Sequence, residues 1–257
     1  MRLLTYNVRY GGAGREAALA AVIRASQADL VVLQEATRPD VVQRVAALVG
    51  METWASRRGH SLGFMSHIPV ASHGWHQPRG SRHAFLEIVP AGSNCRIFGV
   101  HLSAVHAAWT ERRRVRELRA LLAGIRHHQH GFHVLTGDFN TLAPGELLDV
   151  RALPYRLRAL VWMSGGRIRW RTIQEILDAR YADGFRTLHP ADPGLTFPTW
   201  GPHVRLDYVF VPGLHLQRLT SCRVVADPPS RVASDHFPLL AEIAIEGEGS
   251  AIPDLVR

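Results

Sequence analysis

The sequence predicts an α/β fold, and three observations carry this prediction. In the first fifty residues, short apolar runs that end in a polar residue alternate with amphipathic helical patterns. Between residues 52 and 100 the pattern changes to short β-like runs separated by Gly, Pro and Ser, which is typical of a β-meander. The 257 residues fit one large domain or two small ones, and no low-complexity linker divides them. We therefore predict a single domain over residues 1–245 and a flexible Gly/Glu-rich tail over residues 246–257.

Two strand–helix pairs are expected first, followed by the meander. The predicted elements are a strand at 3–8, an Ala-rich helix at 15–27, a fully apolar strand at 29–34 and an amphipathic helix at 39–49. The apolar runs of the meander lie at Trp54 and at residues 62–65, 68–70, 84–89 and 95–100.

The second half of the chain mixes one long helix with further strands. Residues 110–125 show the clearest helical period, with Thr110 as the expected N-cap and Val115, Leu118 and Leu121 on one apolar face. The remaining predictions are a strand at 132–136, a helix at 143–150, an Arg-rich insertion at 154–181 with a helical run at 172–179, and β-like runs at 206–211, 216–225 and 238–245.

The formal net charge of +8 arises from 30 basic residues against 22 acidic ones, and every basic residue is an arginine. The planar guanidinium pairs bidentately with phosphate or carboxylate, so an arginine excess favours anionic partners. A coding bias toward Arg and Ala explains the same composition. Charge alone therefore leaves the function open.

The two cysteines, Cys95 and Cys222, lie in apolar stretches and are expected to be buried free thiols. Free thiols predict a reducing compartment, and we expect a cytoplasmic protein. The N-terminus lacks a charged segment followed by an apolar run, and no stretch reaches the ~18 apolar residues of a membrane span. Nothing in the sequence indicates an obligate protein partner.

Polar residues at the ends of apolar runs are the informative feature, because burying a carboxylate is costly unless a partner compensates for it. They are Asn7, Glu35, His101, Asp138 with Asn140, Asp207, and Asp235 with His236. Each alone has an ordinary explanation, such as capping a turn or pairing with an arginine. Together they supply oxygen ligands for Mg²⁺ or Mn²⁺, a base for water and donors for a developing oxyanion, which is the inventory of a metal-dependent phosphoesterase.

Six motifs built on these residues resemble those of the endonuclease/exonuclease/phosphatase superfamily, which has the DNase I-like fold. They are Thr-Tyr-Asn-Val-Arg at 5–9, Leu-Gln-Glu at 33–35, Val-His-Leu at 100–102, Gly-Asp-Phe-Asn at 137–140, Arg-Leu-Asp-Tyr-Val-Phe at 205–210 and Ser-Asp-His-Phe-Pro-Leu at 234–239. They occur in the family's order and span nearly the whole chain. The resemblance implies a four-layer α/β/β/α sandwich, with two mixed sheets packed face to face, helices outside and the active site on one edge.

The resemblance also implies a role for each catalytic position. Glu35 would be the principal Mg²⁺ ligand, with Asn7 beside it contacting metal or phosphate. Asp138 would orient or deprotonate the attacking water, and Asn140 would hold that water or a phosphoryl oxygen. Asp235 would contribute to a metal site.

The two histidines and their neighbour complete the implied machinery. His236 would stabilise the phosphorane or assist proton transfer, with Asp207 fixing its tautomer. His101 would hydrogen-bond the phosphate or the leaving-group oxygen.

Residues around the motifs bear on substrate choice. Arg9 stands where the superfamily's abasic-site endonucleases have Asp, which argues against that activity. Arg9 and Arg205 are candidate phosphate contacts, and Trp200 is expected either to stack on a base or to pack internally. In the 154–181 insertion, arginines alternate with Tyr155, Trp162 and Trp170; they favour a nucleic-acid groove, although an ordinary helix with inward aromatics explains them too.

We therefore predict a Mg²⁺-dependent phosphodiesterase, with Mn²⁺ as an alternative cation, that cleaves DNA or RNA by in-line water attack. The first alternative is a phosphoesterase of the same fold acting on a small-molecule or lipid phosphodiester, such as sphingomyelin or a phosphoinositide, because fold does not settle substrate. The second alternative is a catalytically inactive binding or scaffold protein.

Overall fold

The computed structural model describes residues 1–79, 81–104, 108–128, 131–146, 155, 158 and 170–245. Its strands are β1 (Arg2–Asn7), β2 (Leu30–Gln34), β3 (Thr53–Ser56), β4 (Gly63–Ser66), β5 (Val70–His76), β6 (Phe85–Pro90), β7 (Arg96–His101), β8 (His133–Asp138), β9 (Tyr181–Asp183), β10 (Asp207–Pro212), β11 (Leu219–Val224) and β12 (Leu239–Ile243). Its α-helices are α1 (Glu16–Ser26), α2 (Pro39–Val49), α3 (Ala108–Gly124), α4 (Arg171–Asp178), α5 (Gly184–Leu188) and α6 (Pro228–Ala233).

The strands form two six-stranded mixed sheets. The first has the order β11-β12-β1-β2-β4-β3, with β1 and β2 parallel and the other neighbours antiparallel. The second has the order β5-β6-β7-β8-β10-β9, with β7 and β8 parallel. Each sheet therefore has one parallel pair near its centre, whose carboxyl ends point the same way.

Three buried apolar clusters separate four layers. Neighbouring residues of a strand face opposite sides of the sheet, so Leu4 of β1 packs under α1 and α2, whereas Leu3 packs between the two sheets. A third cluster joins the outer face of the second sheet to α3 and α4. The sheets approach closely at Gly99, where an added Cβ would lie 2.8 Å from Val32 Cγ1. The α/β/β/α sandwich is thus confirmed.

Several local predictions need correction. The long helix begins at Ala108, so Thr110 lies in its first turn and is not the N-cap, since helical hydrogen bonding starts two residues earlier. Residues 213–218 form a 3₁₀ helix where the apolar run at 216–225 predicted strand throughout. Residues 143–146 form a turn, and 147–150 of the predicted helix lie outside the described residues. The 246–257 tail and half of the 154–181 insertion also lie outside them.

The sequence predicted two buried free thiols and no membrane-spanning segment. Cys95 and Cys222 are both buried free thiols, as predicted, and burial raises the pKa of the Cys95 thiol to about 12. Among the described helices, none combines the length and the apolar character that crossing a membrane requires.

Candidate active site

The polar strand ends meet because of strand register in the two packed sheets. In the second sheet His101 pairs with Asp138 across the parallel β7–β8 ladder, and Asp138 pairs with Asp207 across the antiparallel β8–β10 ladder. In the first sheet, Asn7 ends β1, and Glu35 follows the end of the parallel strand β2. Carboxyl ends of parallel strands share one edge, so the two rows of polar residues face each other across the sandwich.

Asp138 lies at the centre of this cluster and is 1% exposed. Its Oδ1 accepts a hydrogen bond from the backbone N–H of Asn140 (2.8 Å), and its Oδ2 accepts one from Asn7 Nδ2 (3.0 Å). The Nε2 atoms of His101 and His236 lie 3.9 and 3.8 Å from the same Oδ2. Burial and the nearby charge of Asp207 raise the pKa of Asp138 to about 7, against the lowering effect of His236. A carboxyl group with such a pKa is suited to accept a proton near neutral pH.

His236 is held by Asp207. Nδ1 of His236 lies 2.8 Å from Asp207 Oδ2, and the ring packs 4.8 Å from that of Phe197. Burial by itself would lower the pKa of His236, but the adjacent carboxylates of Asp207 and Asp138 raise it to about 9. The imidazole is therefore a hydrogen-bond donor at neutral pH.

His101 has the opposite electrostatic setting. Burial, with the nearby His83 and His236, lowers the pKa of His101 to about 3, so its ring is neutral. His83 stacks on it, with ring centroids 5.6 Å apart, and His101 Nδ1 has no hydrogen-bond partner among the described residues. The two site histidines thus differ in charge, which suits them to different tasks.

Glu35 lies half-buried at the opening of the cluster. Its backbone is in the left-handed region (φ +56°), which turns the chain directly after β2. Oε1 lies 3.4 Å from Asn7 Nδ2, and Oε2 accepts a hydrogen bond from the backbone N–H of Tyr10 (2.5 Å). Asn7 thereby bridges the carboxylates of Glu35 and Asp138 through its amide nitrogen, while its amide oxygen accepts from Arg9 N–H (2.9 Å).

The turn after β8 places Asn140. Gly137 has φ +144°, and an added Cβ there would lie 1.9 Å from the carbonyl oxygen of Val100, so only glycine lets β7 and β8 pair at this point. Asn140 itself has φ +52°, and its Nδ2 donates to the carbonyl oxygen of Leu102 (3.0 Å). This bond joins the two loops that carry Asn140 and His101.

Arg9, Trp200 and Asp235 form one rim of the site. Arg9 Nε lies 3.3 Å from Asp235 Oδ2, and the guanidinium carbon lies 5.8 Å from the centroid of the Trp200 ring. Trp200 is 68% exposed, so it does not pack internally. Asp235 is directed to Arg9 and lies outside the central cluster of carboxylates and histidine.

Comparison with models of protein families identifies the family of this chain. Residues 4–236 match the model of a protein family described as the Endonuclease/Exonuclease/phosphatase family. The chain belongs to this family. The match covers every strand-end position from Asn7 to His236, which confirms the resemblance seen in the motifs. Membership of the Endonuclease/Exonuclease/phosphatase family supports a hydrolase acting on phosphoester bonds.

Three solved structures share the fold over nearly their full length. The 3' phosphatase NExo from Neisseria, a variant bound to product DNA hairpin, has 20% identity and a TM-score of 0.71, over 95% of this chain and 99% of that one. An AP endonuclease from Archaeoglobus fulgidus has 17% identity and a TM-score of 0.70, with coverage of 95% and 99%. Humanized D. rerio TDP2 has 16% identity and a TM-score of 0.65, with coverage of 94% and 97%. At these identities the likeness shows the sandwich fold, and no curated protein matches the chain.

The donor set of this family member fits a hard divalent cation. One oxygen or nitrogen atom from each of Asp138, Asp207 and His236 lies within 4.8 Å of the others, and all three residues are buried. Because His236 is protonated at neutral pH and contacts Asp207, the carboxylate oxygens are the candidate ligands. Asp207 Oδ1 is buried without a hydrogen-bond partner among the described residues. Glu35 adds a further carboxylate at the opening. Oxygen donors of this kind suit Mg²⁺ or Mn²⁺ better than softer metals.

Arg205 is not at the site surface. It is 1% exposed, and its guanidinium forms hydrogen bonds to both carboxylate oxygens of Asp183 (2.9 and 2.6 Å) and to Glu146 (2.7 Å). It also lies 4.4 Å from the centroid of the Tyr208 ring. The structure thus gives Arg205 a buried, fully engaged position, because residues 204–206 are already buried before β10 begins, and its guanidinium is not exposed for the predicted phosphate contact.

A buried charge network beneath the site was not anticipated from the sequence. Glu111 accepts hydrogen bonds from Arg114 (2.8 Å) and from the side chain and backbone of Thr172, and Arg114 Nη1 donates to the carbonyl oxygen of Ser103 (2.8 Å). Glu117 accepts from the backbone N–H and hydroxyl of Ser103. The helical period could have predicted it, because Glu111 and Arg114 lie on the same face of α3 as the apolar residues at 118, 121 and 125. These charges therefore lie on the inward face of α3 and hold the loop after His101.

Proposed function

We propose that this chain is a divalent-metal-dependent phosphodiesterase, with Mg²⁺ as the favoured cation and Mn²⁺ as an alternative, that hydrolyses nucleic acid by in-line water attack. One observation carries the proposal. Asp138, a carboxyl group with its pKa raised to about 7, lies between a cationic His236 held by Asp207 and a neutral His101, at an edge that also carries Glu35. A proton acceptor, a charged donor and a neutral donor within one cluster are the groups that phosphoester hydrolysis needs.

The residues divide the chemistry between them. Asp138 would orient the attacking water and accept its proton, with Asn140 positioned beside it by the bond to Asp138 Oδ1. His236 would donate a hydrogen bond to the negative charge that develops on a phosphorus-bound oxygen. Its Nδ1 contacts Asp207, and this contact directs Nε2 toward the cluster. Glu35 would hold the divalent cation, whose charge would neutralise the anionic phosphate.

Nucleic acid is the favoured substrate for two reasons. The half-buried Arg9 at the rim, with 41% of its side chain exposed, and the net charge of +8 suit a polyanion. Two of the structural relatives are described as a 3' phosphatase bound to a DNA hairpin and as an AP endonuclease. A cytoplasmic location stays a prediction from the two buried thiols.

A single plate of assays tests the proposal. Plasmid DNA, single-stranded DNA, RNA, sphingomyelin, a phosphoinositide and bis-p-nitrophenyl phosphate are each incubated with Mg²⁺, Mn²⁺ or EDTA. The proposal expects hydrolysis of at least one nucleic acid with Mg²⁺ and none with EDTA. Turnover of a lipid substrate alone would replace it with the lipid phosphoesterase, and no turnover of any substrate would leave the scaffold protein.

A further inference from the structure

Two exposed aromatic rings enclose an arginine at the rim of the site. Tyr10 is 79% exposed and Trp200 is 68% exposed. The guanidinium carbon of Arg9 lies 5.5 Å from the centroid of the Tyr10 ring and 5.8 Å from that of Trp200. These distances allow cation–π attraction to both rings. We refer to these three side chains as the Tyr10–Arg9–Trp200 ridge.

The ridge is attached directly to the catalytic cluster. The backbone N–H of Tyr10 donates to Glu35 Oε2, and that of Arg9 donates to Asn7 Oδ1. On the other side, the backbone N–H of Thr199, next to Trp200, donates to the carbonyl oxygen of Asp235 (3.0 Å). A molecule that touches the ridge therefore lies beside the reacting groups.

The backbone at Tyr10 is strained although its ring is not packed in the apolar core. Arg9 (φ +52°) and Tyr10 (φ +48°) are successive non-glycine residues with positive φ, a conformation that a bulky aromatic residue rarely adopts. The conformation is maintained by the two backbone hydrogen bonds above and by Arg15, whose guanidinium donates to the carbonyl oxygens of Val8 and Arg9. The Tyr10 ring leaves most of its surface in solvent despite this strain, and such strain concentrates at functional sites.

We propose that the Tyr10–Arg9–Trp200 ridge is a stacking platform for unpaired nucleobases, so that the enzyme acts on single-stranded nucleic acid. This inference rests on the proposed function and names its substrate class. An unpaired base can lay its face on Tyr10 or Trp200 while Arg9 contacts the adjoining phosphate, which is the chemistry of single-strand binding grooves. In a duplex both faces of each base are covered by neighbouring pairs.

A lipid surface suits this ridge less well. Insertion into a bilayer interface favours a continuous apolar face. Here a guanidinium lies between the two rings and is tied to Asp235, 3.3 Å away. Charge alternates with aromatic surface along the ridge, which matches a strand that alternates bases with phosphates.

Kinetics on a short single-stranded oligonucleotide test the proposal. Tyr10→Ala and Trp200→Ala are each expected to lower kcat/KM by roughly 5- to 150-fold, mainly through KM, because one base–aromatic stack is lost. Tyr10→Phe keeps the ring face and should lose far less than Tyr10→Ala, and Trp109→Ala, at an exposed tryptophan on α3, is the matched control. Replacing the base beside the cleaved bond with a tetrahydrofuran residue should lower kcat/KM of the wild type by a similar factor. The same replacement should cause no further loss in whichever alanine variant has lost the stack.

A binding measurement separates this inference from the proposed function. An oligonucleotide carrying 2-aminopurine is titrated with protein in EDTA, and fluorescence quenching by stacking is expected for the wild type and lost in Trp200→Ala or Tyr10→Ala. Hydrolysis of nucleic acid with unchanged kinetics in both variants, or no quenching, would overturn the platform while leaving the nuclease intact. If both variants bound sphingomyelin vesicles more weakly than the wild type and their kinetics on oligonucleotides were unchanged, the ridge would be a lipid-binding surface and the platform would be overturned.

Discussion

Nδ1 of His236 lies 2.8 Å from Oδ2 of Asp207, and both side chains are buried. This contact fixes the imidazole so that Nε2 faces Asp138, 3.8 Å away. It also contributes to raising the pKa of His236 to about 9, against the lowering effect of burial. The Asp207–His236 contact thus sets both the orientation and the charge of the His236 imidazole.

Replacing the carboxylate should test this relationship. Asp207→Asn keeps the shape but removes the charge, so we expect the pKa of His236 to fall and kcat to drop by about 10²- to 10⁴-fold, the range typical of a lost acid–base contribution. NMR titration of the metal-free protein would report the pKa, and initial rates the loss of activity. An unchanged rate together with a lowered pKa would show that the charge of His236 is not used.

Glu35→Ala is expected to abolish metal-dependent turnover without unfolding the chain, because the half-buried carboxylate lies at the opening of the cluster and outside the apolar core. Rates in a Mg²⁺ titration and thermal melts in EDTA measure the two effects separately. The exposed Glu52→Ala is the matched control. Full activity of the Glu35 variant would refute its assignment as metal ligand.

Gly137→Ala should disrupt the site by separating β7 from β8. The new Cβ would lie 1.9 Å from the carbonyl oxygen of Val100, a distance that only backbone movement can relieve. We expect the free energy of unfolding to fall by about 3 kcal/mol or more, with loss of activity. Gly124→Ala, at the end of α3 with open space around it, should leave stability equal or raise it by less than about 1 kcal/mol. Urea unfolding of both variants checks the contrast.

Arg114→Met tests the buried charge network. Arg114 is 1% exposed and pairs with Glu111, so its removal leaves a buried carboxylate without its cation. Breaking a buried pair in this way costs about 3–5 kcal/mol. The same substitution at the exposed Arg116 of this helix should have almost no effect. Equal urea midpoints for the two variants would show that the network adds nothing to stability.

His133 gives a pH dependence of stability. It is buried, with Nδ1 2.8 Å from the carbonyl oxygen of Gly131 and Nε2 2.6 Å from the Tyr181 hydroxyl, and burial lowers its pKa. Its contribution is therefore fully present above the unfolded pKa of about 6.5 and is lost as the pH falls toward the folded value, because the unfolded state binds the extra proton.

Compared with His133→Gln, the wild type should lose stability more steeply below pH 6.5, by up to about 1.4 kcal/mol per pH unit. Urea unfolding between pH 5 and 8 measures both slopes, with the exposed His67→Gln as control. Parallel slopes for the wild type and the His133 variant would contradict the prediction.

The strand-end residues could be predicted from the sequence because each follows or precedes an apolar run directly. Asn7, Glu35 and Asp138 are recognisable in this way without any tertiary information, and their order along the chain carries the family resemblance. Tyr10 could not be predicted, since its exposure depends on a left-handed backbone that no local pattern marks. Thr110 was predicted as the N-cap although the helix begins at Ala108, because a capping preference alone locates a helix end only to within one or two residues.

By itself, the sequence determined the α/β class, the apolar strands and the residue types available for chemistry, since these depend on local period and composition. Only the tertiary structure decided which of them meet. Strand register brought His101, Asp138 and Asp207 into one row, and the same packing buried Arg205 against Asp183 while leaving Arg9 at the rim. The physical reason is that contacts between residues far apart in the chain depend on how the two sheets pair and pack, which no local segment encodes.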